Sequence, residues 1–276
     1  MRTPEPILVV DLFPIERAAL LHLLGSLEPD AWTRETVCPG WAVRDITAHL
    51  VADDLGRLSR DRDAYRPATR HDGEGLVAFV NRQNAEWVQA MRRLSPSVLT
   101  MLLLVGGLET QQHFEALDPF ATGAPVSWAT GDEPAPVWLD IAREFTERWH
   151  HQQQIRDAVG APPLFDPRIF HPVVATFAHA LPRSFQAVER PQETTITLVV
   201  TGESGGTWSI VRGGNAWRLV VGRPVRPAAA EVELTQDDYW RLVTKGLTPA
   251  DAEARGRLSG DLEAARHLLT TVAIIA

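Results

Sequence analysis

Apolar residues recur at steps of three and four through roughly the first 165 residues, the period of helices that each bury one face. Leu12, Ile15, Ala19, Leu20, Leu23 and Leu24 make the first stripe, which ends near Leu27-Glu28-Pro29. The loop TRETVCPGW follows, with a turn signal at Pro39-Gly40. A second helix is predicted from about Ala42, carrying Val43, Ile46, Leu50, Leu55 and Leu58. Asp72-Gly73 precedes a third, with Leu76, Phe79, Val80, Trp87, Val88 and Met91 as its apolar face. Ser95 as N-cap and Pro96 in the first turn open a fourth, which runs through Leu102–Phe114. The stretch from Ala116 to Pro136 is rich in Pro, Gly and Asp and reads as a long loop of functional interest. A fifth helix is expected over Val137–Val159, stopped by Gly160 and Pro162-Pro163.

After Pro172 the pattern changes. A helical segment over Val173–Phe185 leads to strands at Thr195–Val200, Thr207–Val211, Trp217–Val221 and Glu231–Leu234. Gly202–Gly206 and Gly213-Gly214 read as hairpin turns, and the first of these is better explained that way than as a phosphate cradle. Helices return at Asp237–Thr244 and Asp261–Ile275. Five helices with one long crossover make a bundle, and strands followed by helices make a smaller α+β unit. The expected fold is therefore α+β in two domains, a helical bundle over 1–165 and an α+β domain over 166–276.

Composition narrows the function. The 276 residues carry a net charge of −8, and the 27 Lys and Arg residues form no dense basic run. Nucleic acid and anionic membranes are thus poor partners. The one cysteine, Cys38, cannot form a disulfide within the chain, as suits a reducing cytoplasm. The N-terminus does not read as a signal peptide, and no apolar run is long enough to span a bilayer. A soluble cytoplasmic protein, monomeric or dimeric, is expected. Lysine is almost absent while Arg and Ala abound, a bias of GC-rich coding.

The chemistry concentrates in ERWHHQQQIR, residues 147–156. Glu147 and His151, four apart on a helix, project from one face, whereas His150 is turned by about 100°. Carboxylate and imidazole on an inward stripe need satisfaction, either by each other as an ordinary i,i+4 pair or by a metal ion. A metal needs a third ligand. His49 is the best placed, on the stripe Asp45, His49 and Ala52 or Asp53, though a lone core His also satisfies itself on a backbone carbonyl. His22 and His113 are alternatives without a neighbour at ligand spacing, and His71, His171, His179 and His267 read as structural or surface. Cys38 is either a small buried side chain or, with a lowered pKa, a nucleophile.

The segment Thr36–Leu50 resembles the signature T-x-C-P-G-W-x-V-x-D-x-x-A-H-L of the mycothiol-dependent maleylpyruvate isomerase-like family, within the wider group of DinB-like metal-binding bundles. E-R-W-x-H-Q-Q-Q-I-R-D-A-V-G, from Glu147 to Gly160, is similar to that family's later ligand-bearing helix. Gly206-Thr207-Trp208, Trp217-Arg218-Leu219, Trp240-Arg241-Leu242 and Gly260-Asp261-Leu262 resemble its appended sterol-carrier-like domain, so the likeness covers nearly the whole chain. The resemblance implies a DinB-like bundle with His49, Glu147 and His151 as ligands of a divalent metal, zinc first among candidates. Two His and one carboxylate leave positions open, as in a catalytic site. It implies mycothiol as a low-molecular-weight thiol cosubstrate, ionised as a metal-bound thiolate. That thiolate would attack a small electrophilic substrate, by isomerisation or by thiol transfer. Gln154, and with it Gln153, would orient a ligand or the thiol, His150 would line the pocket, and Asp45 would either support His49 or cap its helix. Family isomerases use an Arg of the C-terminal domain, for which Arg257 and Arg212 are candidates and Arg218 and Arg241 structural alternatives. Two other readings stand beside this one. One is a non-catalytic binder of metal and an apolar ligand; the other is a thiol-independent metal hydrolase, with Glu144 or Asp140 as base.

Overall fold

The helical stripes of the first half fold as helices because each buries its apolar side against a neighbour. In the computed structural model, which describes residues 1–274, α1 spans Phe13–Gly25, α2 Val43–Arg57, α3 Leu76–Met91 and α4 Pro96–Glu115. Helix α2 packs against both α3 and α4, and α1 against α4. The shared core contains Leu20, Ile46, Leu50, Leu99, Leu103 and Ile155. Ser95 caps α4 as its position suggested, its hydroxyl accepting from the Val98 N–H. The long connection holds α5, the single turn Ser127–Thr130, and leads into α6, Val137–Val159. Helix α6 ends at Gly160, whose φ of +70° is open to glycine and strained for other residues.

Charge is buried in this bundle. Asp54 of α2 is fully buried; it forms an ion pair with Arg17 of α1 at 2.8 Å and accepts a hydrogen bond from Arg148 of α6 at 2.8 Å. Arg148 also donates to Glu144 at 2.7 Å and lies over the Phe13 ring. Gly106 and Gly107 let α4 approach these groups. A Cβ on Gly106 would sit 3.0 Å from the Asp54 Cβ, and one on Gly107 would sit 3.1 Å from the Arg17 guanidinium.

The chain divides into two compact units that interleave in sequence. The bundle unit comprises Leu8–Pro119 and Glu144–Leu164; the other comprises Met1–Ile7, Phe120–Arg143 and Phe165–Ile274. Against the expected domains 1–165 and 166–276, the long loop and the first third of α6 therefore group with the sheet. Within that unit, α7 (Pro167–Ala178) and α8 (Leu181–Ser184) precede β1 (Thr195–Thr201), β2 (Gly206–Gly213), β3 (Ala216–Val221) and β4 (Ala230–Thr235). Then come α9 (Gln236–Val243), α10 (Pro249–Arg255), β5 (Arg257–Gly260) and α11 (Leu262–Leu268). The sheet order is β3-β2-β1-β4-β5, with β1 and β4 parallel and the other pairs antiparallel. Alternation on β4 buries Ala230, Val232 and Leu234, against which α9 and α11 pack. Among the described residues no helix is long and apolar enough to cross a membrane.

Three sequence expectations shift. The helix expected over Val173–Phe185 starts at Pro167, where Asp166 caps the Arg168 N–H, keeps Pro172 inside, and breaks after Ala178. The last helix stops at Leu268; the expected end at Ile275 lies outside the described residues. Helix α10 and strand β5 have no counterpart in the sequence pattern, since seven and four residues carry too little periodicity to register.

Two outcomes test this packing. Gly106→Ala would add about 1 kcal/mol of helix propensity on a free surface. Here it is expected to lower Tm by roughly 3–5 °C in a thermal melt, because Asp54 is pinned by two arginines and cannot yield. His179 sits edge-on to Trp138 in the sheet unit, and burial lowers its pKa to about 4. The unfolded chain then binds the extra proton first, so stability is complete above about pH 6.5 and falls as pH drops toward 4. His179→Gln is expected to flatten that acid limb in Tm-against-pH melts.

Candidate metal centre

Helix periodicity on α2 and α6 aims four titratable side chains at one another. His49 and Asp53 stand one turn apart on α2, and Glu147 and His151 one turn apart on α6. The ligand atoms of His49, Glu147 and His151 lie within 4.8 Å of one another. Glu147 Oε1 is 2.9 Å from His151 Nε2 and 3.5 Å from His49 Nε2, and the two rings meet edge to face at 4.5 Å. Trp41, from the CPGW turn, packs its ring 5.2 Å from His49. The imidazoles are nearly buried, His49 at 3% and His151 at 7% exposure, while the Glu147 side chain keeps 29%. Access is therefore over the carboxylate.

One amide decides what these rings present. Gln154 Oε1 is 2.7 Å from His151 Nδ1 and 3.3 Å from the Cys38 Sγ, which donates to it. Gln154 Nε2 is 2.9 Å from His150 Nε2. A carbonyl oxygen only accepts and an amide nitrogen only donates. His151 thus carries its proton on Nδ1 and turns Nε2 to Glu147, and His150 accepts on Nε2. A ring nitrogen lone pair facing a carboxylate oxygen at 2.9 Å requires a cation between them, a proton or a metal ion. The donor set, two neutral imidazole nitrogens and a carboxylate, suits a divalent transition ion, and Gln154 stands behind His151 as the orienting partner such ligands have.

Electrostatics follow from burial and these pairings. Burial alone would raise Glu147, but His151 and His49 hold it well below the usual carboxylate range. Burial would lower His49, yet Asp53 and then Glu147 outweigh it and raise it. Burial raises Asp53 and pushes the Cys38 thiol up. His150 is driven down to about 3 by burial and next by the charge of His151, so it stays neutral.

The structure brings His49, Glu147 and His151 together; His22 and His113 lie outside the group. His150 and Gln154 sit directly behind it, buried. Gln153, two residues from His151 and so turned by about 200°, accepts from the Leu164 N–H instead. Asp45 accepts from the Ala42 N–H at the start of α2 and pairs with Arg92, a capping role rather than support for His49. Glu144 and Asp140, the candidate bases for hydrolysis, are engaged by Arg148 and Arg143. In the sheet unit Arg257 pairs with Glu233 and Arg212 lies over Trp217. Arg241 pairs with Asp237 and stacks on Trp240. Asp53, on the His49 stripe, stands beside the group with no role implied by the resemblance, and its i,i+4 spacing from His49 mirrors that of Glu147 and His151.

A helical unit carrying a His–Glu–His constellation, joined in one chain to a unit built on a small mixed sheet, defines a two-domain α+β protein. Residues 13–156, more than half the chain, match the family described as the mycothiol maleylpyruvate isomerase N-terminal domain, and the chain belongs to that family. Two similar solved structures are the mycothiol-dependent maleylpyruvate isomerase, at TM-score 0.55, and a histidine-to-alanine mutant of it, at 0.54. Each is 12% identical, with 91% of both chains covered, so the common fold extends beyond the matched helices. No curated relative matches in sequence.

The doublet His150-His151 gives a sharp test. Elemental analysis of purified protein should find about one divalent ion per chain. His49→Ala and His151→Ala should each lose it, and His150→Ala should keep it. Loss in His150→Ala with retention in His151→Ala would reverse the assignment.

Proposed function

We propose that this chain is a metal-dependent, mycothiol-using isomerase or S-transferase acting on a small electrophilic substrate inside the cell. The observation that carries the reading is the His49–Glu147–His151 constellation in a chain of the mycothiol maleylpyruvate isomerase family. His49, Glu147 and His151 would hold a divalent ion, zinc first among candidates. Bound there, such an ion supplies the Lewis acidity that lets a thiol ionise near neutral pH.

The chain's own residues do the rest. Glu147 balances positive charge between the two imidazoles. Gln154 keeps His151 in the tautomer that offers Nε2, and neutral His150 anchors Gln154. Trp41 shields one side of His49 from water. In isomerisation the thiol adds to an electrophilic double bond, the resulting single bond rotates, and the thiol is expelled. In S-transfer the adduct is kept. Arg257 and Arg212 remain the candidates for holding anionic groups of thiol or substrate. Maleylpyruvate, named for both structural neighbours, is the first substrate to assay. Hydrolysis is the weaker alternative, because Glu144 and Asp140 are committed to arginines.

Thermal unfolding of the metal-loaded protein tests the thiol. Mycothiol at a hundred times its Kd should stabilise by about 2.7 kcal/mol and raise Tm by several degrees. The unrelated thiol 2-mercaptoethanol should not do so at equal concentration. A flat Tm together with no thiol adduct in native mass spectrometry would refute thiol use.

A further inference from the structure

Asp53 is the part of the centre that the three-residue description omits. Its Oδ2 lies 3.5 Å from His49 Nε2, the same separation that Glu147 Oε1 keeps from that nitrogen. This oxygen is shielded from solvent and, among the described residues, has no hydrogen-bond donor. At 3.5 Å the imidazole is beyond hydrogen-bonding distance. Nor does an arginine serve Asp53, since Arg17 and Arg148 both go to its chain neighbour Asp54. A shielded carboxylate oxygen without a partner is costly, and a second carboxylate beside it makes it more so.

The spacing suggests what compensates it. Donors bonded at 2.0–2.2 Å to one ion lie about 2.8–3.6 Å apart when adjacent, whether the shell is octahedral or tetrahedral. His49 to Glu147 at 3.5 Å and Glu147 to His151 at 2.9 Å are such edges within the trio whose ligand atoms lie within 4.8 Å of one another, and Asp53, outside that trio, adjoins it through His49 at 3.5 Å, so that a turn of its side chain would bring it in. The four residues make one i,i+4 carboxylate–imidazole pair on each of α2 and α6. We infer that Asp53 is a fourth protein donor to the centre, which is thereby a two-imidazole, two-carboxylate site. This rests on the metal reading given above. Two carboxylates neutralise a divalent ion, and the added oxygen donor favours five- or six-coordination. Mn(II), Fe(II), Co(II) and Ni(II) accept such a shell more readily than four-coordinate zinc does. Two positions of a six-coordinate shell would stay open to thiol and substrate.

Cobalt(II) titration of the chelator-stripped protein reads this directly, without turnover. The wild type should show the weak visible bands of five- or six-coordinate Co(II). Asp53→Ala should bind ten-fold or more weakly by chelator competition and should shift toward the intense bands of a four-coordinate ion. Asp53→Asn, nearly isosteric, should keep the wild-type melting curve and still lose affinity, which separates ligation from folding. Equal affinity within two-fold and an unchanged spectrum in both variants would overturn the fourth donor while leaving the three-residue centre standing. No Co(II) or Zn(II) uptake by the wild type would overturn both.

Discussion

Arg148 and Asp54 meet at 2.8 Å with almost no exposure to water, and the geometry of the bundle depends on that pairing. Asp54 belongs to α2, Arg148 to α6, and the second arginine on Asp54, Arg17, to α1. Three helices are therefore tied at one carboxylate. Such a buried pair adds little net stability compared with a well-packed apolar replacement. Removing one partner, however, strands a charge at a cost of about 3–5 kcal/mol. Sliding α6 against α2 by one turn would strand it in the same way, so the ionic contact selects a single register where apolar side chains alone would tolerate several.

That register also brings the His49–Glu147–His151 group together. Asp53 immediately precedes Asp54, and Glu147 immediately precedes Arg148. One residue of helix is a rotation of about 100°, so the ion pair and the constellation occupy adjoining faces of the same two helices. Holding one in place holds the other. The glycines at 106 and 107 belong to this arrangement because they let α4 close over the paired charges without displacing them. The family match, residues 13–156, takes in Glu147, Arg148 and His151 and ends within α6 just beyond them.

Much of this was legible in the chain because local signals and tertiary demands agree. Val137–Val159 is long, periodic and closed by a glycine that must take positive φ, so both its ends could be read. Ser95-Pro96 announces its helix in the same way. The pairing of Glu147 with His151 follows from helical spacing, and its stripe makes His49 the best-placed third ligand, but a lone core His can equally satisfy itself on a backbone carbonyl, and the Thr36–Leu50 likeness decided between the two. Arg148 illustrates the opposite case. An arginine amid ERWHHQQ reads as solvated, and only the opposing Asp54, 94 residues earlier, explains its burial. The grouping of residues 120–143 with the sheet is likewise a long-range outcome with no local mark. The direction of the Gln154 amide is set by His150, His151 and Cys38 together, and no pairwise spacing rule encodes a three-way contact.

The bond from Cys38 to Gln154 bears on how two thiols are told apart. On the proposed function, a protein that ionises a soluble thiol would have to keep its own sulfur from competing for the same electrophile. Here the chain's single sulfhydryl is pushed toward the protonated form by burial, and its hydrogen is committed to an amide oxygen. That oxygen is also the one that sets the His151 ring. The resident sulfur is thus held as a hydrogen-bond donor beside the candidate centre, which on the proposed function would leave nucleophilic reactivity to the sulfur that arrives from solution.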